Sequence, residues 1–174
     1  APPAGLALAS PYALVTLHRP SNVDDPAALR ALITVLVSLS RELQIVFPLH
    51  PRTRARLAAG GIALPADGRI LLIDPAGYLE FLALQRDALV VITDSGGIQE
   101  ETTYLGVPCL TMRENTERPV TVTVGTNTLI GQDTERLREE VQAILSGSAK
   151  AGAIPPLWDG HAAERIAAIV EGLP

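Results

Sequence analysis

The segment Leu89-Val90-Val91-Ile92-Thr93-Asp94-Ser95-Gly96-Gly97-Ile98-Gln99-Glu100-Glu101 constrains the fold more than any other part of the chain. It begins as an unbroken apolar run with β-branched residues, the pattern of a strand buried on both faces. The run breaks at Asp94-Ser95-Gly96-Gly97 and restarts with helical spacing through Tyr104 and Leu105. Gly106, suited to the C′ position, and Pro108 just beyond it end that helix. A strand passing through Ser-Gly-Gly into a helix leaves backbone N–H groups pointing at one spot, and adjacent glycines let an anion approach the main chain. Two readings fit this local pattern. One is a phosphate site at the start of the helix near Gly97; the other is a tight strand-to-helix turn with Ser95 as its cap.

Strand and helix signals alternate along the rest of the chain. Residues 1–11, rich in Ala, Pro and Gly, read as a linker or tail. Tyr12 to Leu17 is an expected strand ending in His18-Arg19-Pro20-Ser21-Asn22. Asp24 or Asp25 caps a helix with Pro26 in its first turn, reaching about Arg41 with Leu29, Leu32, Ile33, Leu36 and Leu39 as its stripe. Gln44 to Leu49 is a second strand, and His50-Pro51 opens a helix stopped by Gly60-Gly61. Arg69 to Ile73 is a third, leading through Asp74-Pro75 to a helix from about Tyr78 to Gln85. After the Leu89 strand and Gly97 helix come a strand at Pro108–Met112, a polar loop over residues 113–119 and a short strand at Thr128–Ile130. Asp133 or Thr134 caps a helix through Leu145, a Gly/Ala/Pro loop spans Ser146 to Pro156, and a last helix covers Asp159–Val170.

This alternation predicts an α/β fold, a three-layer, doubly wound, Rossmann-like parallel sheet. Its ligand edge is the one where strands end, and there the sequence puts His18 and Arg19, His50 and Arg52, Asp74, Asp94 and Ser95, and Arg113 and Arg118. Two arginine-bearing loops facing a Ser-Gly-Gly turn suit a diphosphate, because guanidinium forks match phosphate oxygens. Each residue also has a plainer reading. An Arg in such a loop fits a solvated position, His18 and His50 fit imidazoles satisfying nearby backbone, and Arg54 and Arg56 fit a helix surface. Glu100 and Glu101 fit simple complements to the helix dipole, or one of them accepts from paired ribose hydroxyls. Neither G-x-G-x-x-G nor G-x-x-x-x-G-K-[ST] occurs, which argues against an ordinary NAD domain or an ATPase.

Composition narrows the classes further. The 174 residues suit one domain with a sizeable core, and 47% are apolar. A net charge of −5 argues against nucleic acid as a partner. Lone Cys109 allows no internal disulfide and gives no metal-site spacing. No apolar run approaches the ~20 residues of a membrane helix and no signal-peptide pattern is present, so a soluble cytoplasmic protein is expected.

Asp94-Ser95-Gly96-Gly97-Ile98-Gln99-Glu100-Glu101, Leu105-Gly106-Val107-Pro108 and Arg113-Glu114-Asn115-Thr116-Glu117-Arg118-Pro119 together closely resemble the non-hydrolysing UDP-N-acetylglucosamine 2-epimerases. Thr16-Leu17-His18-Arg19-Pro20-Ser21-Asn22, Phe47-Pro48-Leu49-His50-Pro51 and Ile73-Asp74-Pro75 match the same family in order and spacing. The resemblance implies that residues 12–174 form the C-terminal, UDP-sugar-binding half of a two-domain GT-B-like enzyme, homodimeric at full length and serving cell-surface polysaccharide biosynthesis. It implies interconversion of UDP-GlcNAc and UDP-ManNAc by elimination of UDP to 2-acetamidoglucal and re-addition, with no redox cofactor and no metal required. It further implies that amides around Ser95, Gly96 and Gly97 hold the diphosphate, Glu101 takes the ribose hydroxyls and Phe81 packs near uracil. His18 is the implied catalytic group beside the departing UDP, and Arg19 and Arg118 are implied phosphate or cleft contacts. His50 matches a position linked in some members to a second, regulatory UDP-GlcNAc.

Two departures stand out. The family's N-terminal half, which carries the expected carboxylates for C2 proton transfer, is absent here, so this stretch is expected to bind UDP without turning over alone. Val120 stands where many members have Glu, and His50 is followed by Pro51-Arg52-Thr53. Two other readings remain open: the nucleotide half of a GT-B glycosyltransferase, and a non-catalytic UDP-sugar-binding or dimerising module.

Overall fold

Parallel strands need long crossover connections, and here helices with one apolar stripe supply most of them. The computed structural model describes residues 3, 6 and 8–173. In chain order the elements are β1 (Tyr12–Thr16), α1 (Pro20–Val23), α2 (Pro26–Leu39), β2 (Gln44–Pro48), α3 (Pro51–Ala59), β3 (Ile70–Ile73) and α4 (Tyr78–Asp87). There follow β4 (Val90–Thr93), α5 (Gly96–Leu105), β5 (Cys109–Thr111), α6 (Pro119–Thr123), β6 (Asn127–Leu129), α7 (Thr134–Leu145) and α8 (Ala162–Glu171). The strands form one six-stranded parallel sheet in the order β3-β2-β1-β4-β5-β6. That is the doubly wound order, and the expected fold class is the observed one.

Side chains alternate across each strand, so one sheet feeds two cores. Ala13 and Val15 of β1, with Ile45 and Phe47 of β2, face Leu29 and Leu36 of α2, Leu57 of α3 and Leu137 and Val141 of α7. Tyr12, Leu14, Val46 and Val91 face the other way, onto Leu84 of α4 and Ile98 of α5. Phe47, Leu14 and Ile92 are fully buried, each worth about 1.5–3 kcal/mol against exposure. β1 and β4 lie side by side where the strand order reverses, with Thr16 opposite Thr93. Their following loops therefore leave the sheet at the same point.

The predicted caps hold. Asp25 Oδ1 accepts from the Ala27 N–H at 2.9 Å, Asp133 Oδ1 accepts from Glu135 and Arg136, and Gly106 closes α5 in the left-handed region at φ 72°. Three expectations need correction. Residues 20–23, to which the residue pattern assigns no helix, form the single turn α1 started by Pro20. The polar loop 113–119 ends a residue early, because Pro119 at a first-turn position opens α6. The last helix starts at Ala162 instead of Asp159, because Asp159 Oδ1 accepts from His161 N and Gly160 still turns the chain at φ 83°. In α8 no residue is buried, and Ile166, Ile169 and Val170 are mostly exposed. Among the described residues, no helix is long and apolar enough to cross a membrane.

Positions 1, 2, 4, 5 and 7 of the expected tail, and Pro174 at the expected domain end, lie outside the described residues. Leu6 and Leu8 pack against the Tyr12–Leu14 cluster, and Ala9 N–H donates to Gln44 Oε1 at 2.6 Å. At the other end, the loop after α7 is bolted to α6 and β6. Lys150 Nζ donates to Asn127 O at 2.8 Å and to Val122 O, and Ala153 N donates to Val124 O at 2.9 Å. A Cβ on Gly152 would lie 2.7 Å from the backbone of Gly125 and Thr126. Gly152→Ala is therefore expected to lower stability by about 1–3 kcal/mol; an unchanged urea midpoint would show that this strap is not clamped.

Candidate functional site

The site begins with a buried carboxylate. Asp94, directly after β4, has no exposed surface. Its Oδ2 accepts from the backbone N–H of His18 at 3.0 Å and of Arg19 at 2.8 Å, and from Asn22 Nδ2 at 3.0 Å. Its Oδ1 lies 3.0 Å from His18 Nδ1. Asn22 also donates to Met112 O at 2.9 Å, tying in the strand beyond. Burial pushes the Asp94 carboxyl up, but the bonds from His18, Arg19 and Asn22 outweigh it and hold it below its ordinary value. The same hydrogen bond raises His18 above 6.5 against the opposing pull of burial. With Nδ1 committed to Asp94, Nε2 is the ring nitrogen left for the cavity beside it.

That cavity holds 210 Å³ and is lined by His18, His50, Phe81, Ser95, Ile98 and residues of the β1, β2 and β3 ends. The His18 and His50 rings lie 5.3 Å apart, centre to centre. His50 caps α3, its Nδ1 accepting from Arg52 N at 3.1 Å. Both imidazoles thus share one edge with the Ser-Gly-Gly turn, as strand-end placement predicts.

The turn itself is open. Ser95 occupies the N-cap of α5, but its side chain makes no capping bond. Its amide is taken by Thr93 Oγ1 at 3.0 Å, so the free first-turn donors are those of Gly96, Gly97 and Ile98. Gly97 is exposed, and a Cβ there would meet nothing within 4 Å. A Cβ on Gly96 would instead sit 2.6 Å from Arg118 Nη1, so this glycine lets the guanidinium lie against the helix start. Arg118 Nε is 2.6 Å from Glu100 Oε2, yet that buried N–H has no aligned acceptor among the described residues. Arg113 forms a two-bond pair with Glu117 at 3.0 and 2.7 Å, which pulls the Glu117 carboxyl down to about 2.

Other predicted residues are more dispersed. Arg19 Nε donates to Asp94 O at 3.2 Å. Arg52 and Arg56 both pair with Asp24, and Arg54 with Asp74, so these act as surface ion pairs. Glu101 accepts from buried Gln85 Nε2 at 2.6 Å and lines a second cavity of 380 Å³ with Tyr78, Tyr104 and Trp158. Sequence reasoning gave Asp94 a place but no role, and assigned none to Asn22, Gln99 or Asn127. A carboxylate and amides at strand ends were the available signal.

Comparison with known proteins now decides the family. A family model described as UDP-N-acetylglucosamine 2-epimerase matches residues 4–171. The chain belongs to this epimerase family. It is 43% identical over 165 residues to the UDP-N-acetylglucosamine 2-epimerase of Methanococcus maripaludis, an alignment covering 92% of this chain and 44% of that protein. The solved UDP-GlcNAc 2-epimerase of Methanocaldococcus jannaschii superposes with a TM-score of 0.82 at 39% identity, over 94% of this chain and 46% of that one. The same organism's enzyme in complex with UDP-GlcNAc and UDP superposes at 0.79 and 40% identity, over 92% and 45%. The chain therefore spans a little under half the length of these epimerases.

The His18–Asp94 pair has a defined pH signature. Its His contribution to stability is complete below 6.5 and is lost as pH rises through the elevated folded-state value. Its Asp contribution is lost in acid, below the ordinary 3.8. An NMR titration is expected to place His18 above 6.5 in the native protein and lower in Asp94→Asn; a His18 midpoint unmoved by that change would rule out the coupling.

Proposed function

We propose that this chain is the C-terminal, UDP-holding half of a UDP-N-acetylglucosamine 2-epimerase that interconverts UDP-GlcNAc and UDP-ManNAc. The observation that carries the reading is the uncapped, open start of α5 facing the same cavity as His18. Amides of Gly96, Gly97 and Ile98, with the helix dipole behind them, receive the diphosphate, and Ser95 supplies its hydroxyl. His18, whose protonated form Asp94 favours, stands beside the bridging oxygen and stabilises the charge that grows on UDP as the C1–O bond breaks. Arg118 and Arg19 add positive charge at the rim. Phe81 packs against uracil, and Glu101 accepts from the ribose hydroxyls. His50, one ring away from His18, serves a regulatory UDP-sugar.

The eliminated proton leaves C2 of the sugar, and no carboxylate of this edge is assigned to take it. Asp94 is buried and committed to His18, and Glu117 to Arg113. The proton-transfer groups, and a second wall for the sugar, come from the other half of the enzyme. A homodimer in the cytoplasm completes the proposal.

Gly97→Ala tests the cradle cleanly, because the new methyl meets no protein atom and fits helical backbone. Its melting temperature is expected not to fall, while UDP affinity drops about tenfold or more. Glu101→Ala is expected to cost about 1.5–3 kcal/mol of UDP binding by calorimetry. UDP affinity unaffected by either change would remove the diphosphate and ribose assignments. Turnover is expected only when the family's other half is supplied; turnover by this chain alone would refute the division of labour.

A further inference from the structure

Arg118 sits on a loop, and an arginine recognises a diphosphate only if its backbone is held. The Arg118 N–H donates to Thr116 Oγ1 at 3.0 Å, and that hydroxyl donates to Gln99 Oε1 at 2.6 Å. On its other side, Arg118 O accepts from Thr121 Oγ1 at 2.8 Å. Thr121 Oγ1 accepts from Asn127 Nδ2 at 3.1 Å, and the same amide also reaches Gln99 Oε1 at 3.1 Å. Asn127 is fixed in turn by Thr111, whose hydroxyl donates to its Oδ1 at 2.6 Å. Both ends of the Arg118 peptide unit thus lead back to one side-chain oxygen. Meanwhile Gln99 Nε2 donates to Ser95 O at 3.2 Å, at the N-cap of the amide cradle.

We propose that Gln99 is a positioning residue for diphosphate recognition, locking the α5 amide cradle to the Arg118 loop so that both meet the same phosphate oxygens. Gln99 has no exposed surface, and its one polar contact with the turn is to the Ser95 carbonyl, so it leaves the first-turn amides open. An apolar residue in its place would strand the Thr116 hydroxyl and one Asn127 amide bond, so what the Gln99 amide contributes is the groups it joins. Both halves of that amide are used: the oxygen takes the loop and the nitrogen takes the cradle. A glutamate would keep the first and lose the second; a leucine would lose both. The helix thereby transmits its own position to a guanidinium carried by a different loop, across the gap that Gly96 leaves for it. This inference rests on the diphosphate reading above, and its test separates the two.

The experiment uses the full chain with Gln99→Met, Thr116→Val, Thr116→Ser, Arg118→Ala and the Thr116→Val/Arg118→Ala pair. Thr116 is only partly buried, so its valine variant cuts the link to Arg118 while leaving Gln99 on Asn127. In the ligand-free protein, NMR relaxation of the Arg118 Nε–H is expected to report lost order in Gln99→Met and Thr116→Val and retained order in Thr116→Ser. By calorimetry with UDP, Gln99→Met and Thr116→Val each weaken binding toward the Arg118→Ala level, about tenfold, and Thr116→Ser restores it. In the Arg118→Ala background, Thr116→Val has no further effect. An Arg118 as ordered in Thr116→Val as in the parent, or additive losses in the double variant, overturns the proposal. Lost Arg118 order in a chain that binds no UDP would leave the relay standing and overturn the diphosphate reading instead.

Discussion

A carboxylate without solvent contact, held at the junction of the two central strands, governs this edge of the molecule. Burying Asp94 as a charge is costly unless donors replace the water it gives up. The donors come from the segment after β1: two backbone amides, an imidazole and the Asn22 amide. The chain after β1 therefore cannot leave the sheet in any other direction without stranding the charge. His18 is oriented as a consequence. An anion site of the kind proposed, set beside an aspartate, looks self-defeating at first. Asp94 spends its charge inward, and what reaches the cavity is an imidazole whose protonated form it favours.

The topology opens a crevice at that junction. In the order β3-β2-β1-β4-β5-β6, β1 and β4 send their crossovers to opposite faces, and a crevice opens between the departing loops. This much was legible from residues alone. The apolar run before Asp94 marked a central strand, Ser-Gly-Gly marked the helix start, and parallel order brought His18, His50 and Ser95 to one edge. Phe81 reaches that edge from α4. Short elements were less legible. The single turns α1 and α6 start at prolines that read equally well as loop, because one turn is too brief to show a helical period.

The relay beneath the site was hidden for a different reason. Gln99, Thr116, Thr121 and Asn127 come from a helix, a loop, another helix and an edge strand. Each is ordinary in its local context, and only tertiary packing makes them buried partners. Even Ser95 illustrates the point. Its position as the N-cap was readable, but the occupation of its amide by Thr93 Oγ1, itself bonded to Thr16 at 2.8 Å, depends on the register of β1 against β4. Local pattern located the donors; cross-strand contacts decided which of them are free.

Charge at the rim is arranged to be exchangeable. Glu117 is committed to Arg113, which leaves Arg118 a closer partner in Glu100, on the outer face of α5. Glu100 is half exposed, and ion pairs of that kind contribute little and yield readily to a competing anion. On the reading proposed above, a diphosphate at the α5 start would offer Arg118 a doubly charged partner in place of a carboxylate, without moving the backbone that carries it. The cavity next to it, at 210 Å³, is smaller than the roughly 300–1,000 Å³ usual for enclosing a small ligand. A cavity of this size can enclose only part of a nucleotide-sized molecule. On the function proposed above, such an edge would hold the nucleotide end while the sugar end stayed open to a facing wall.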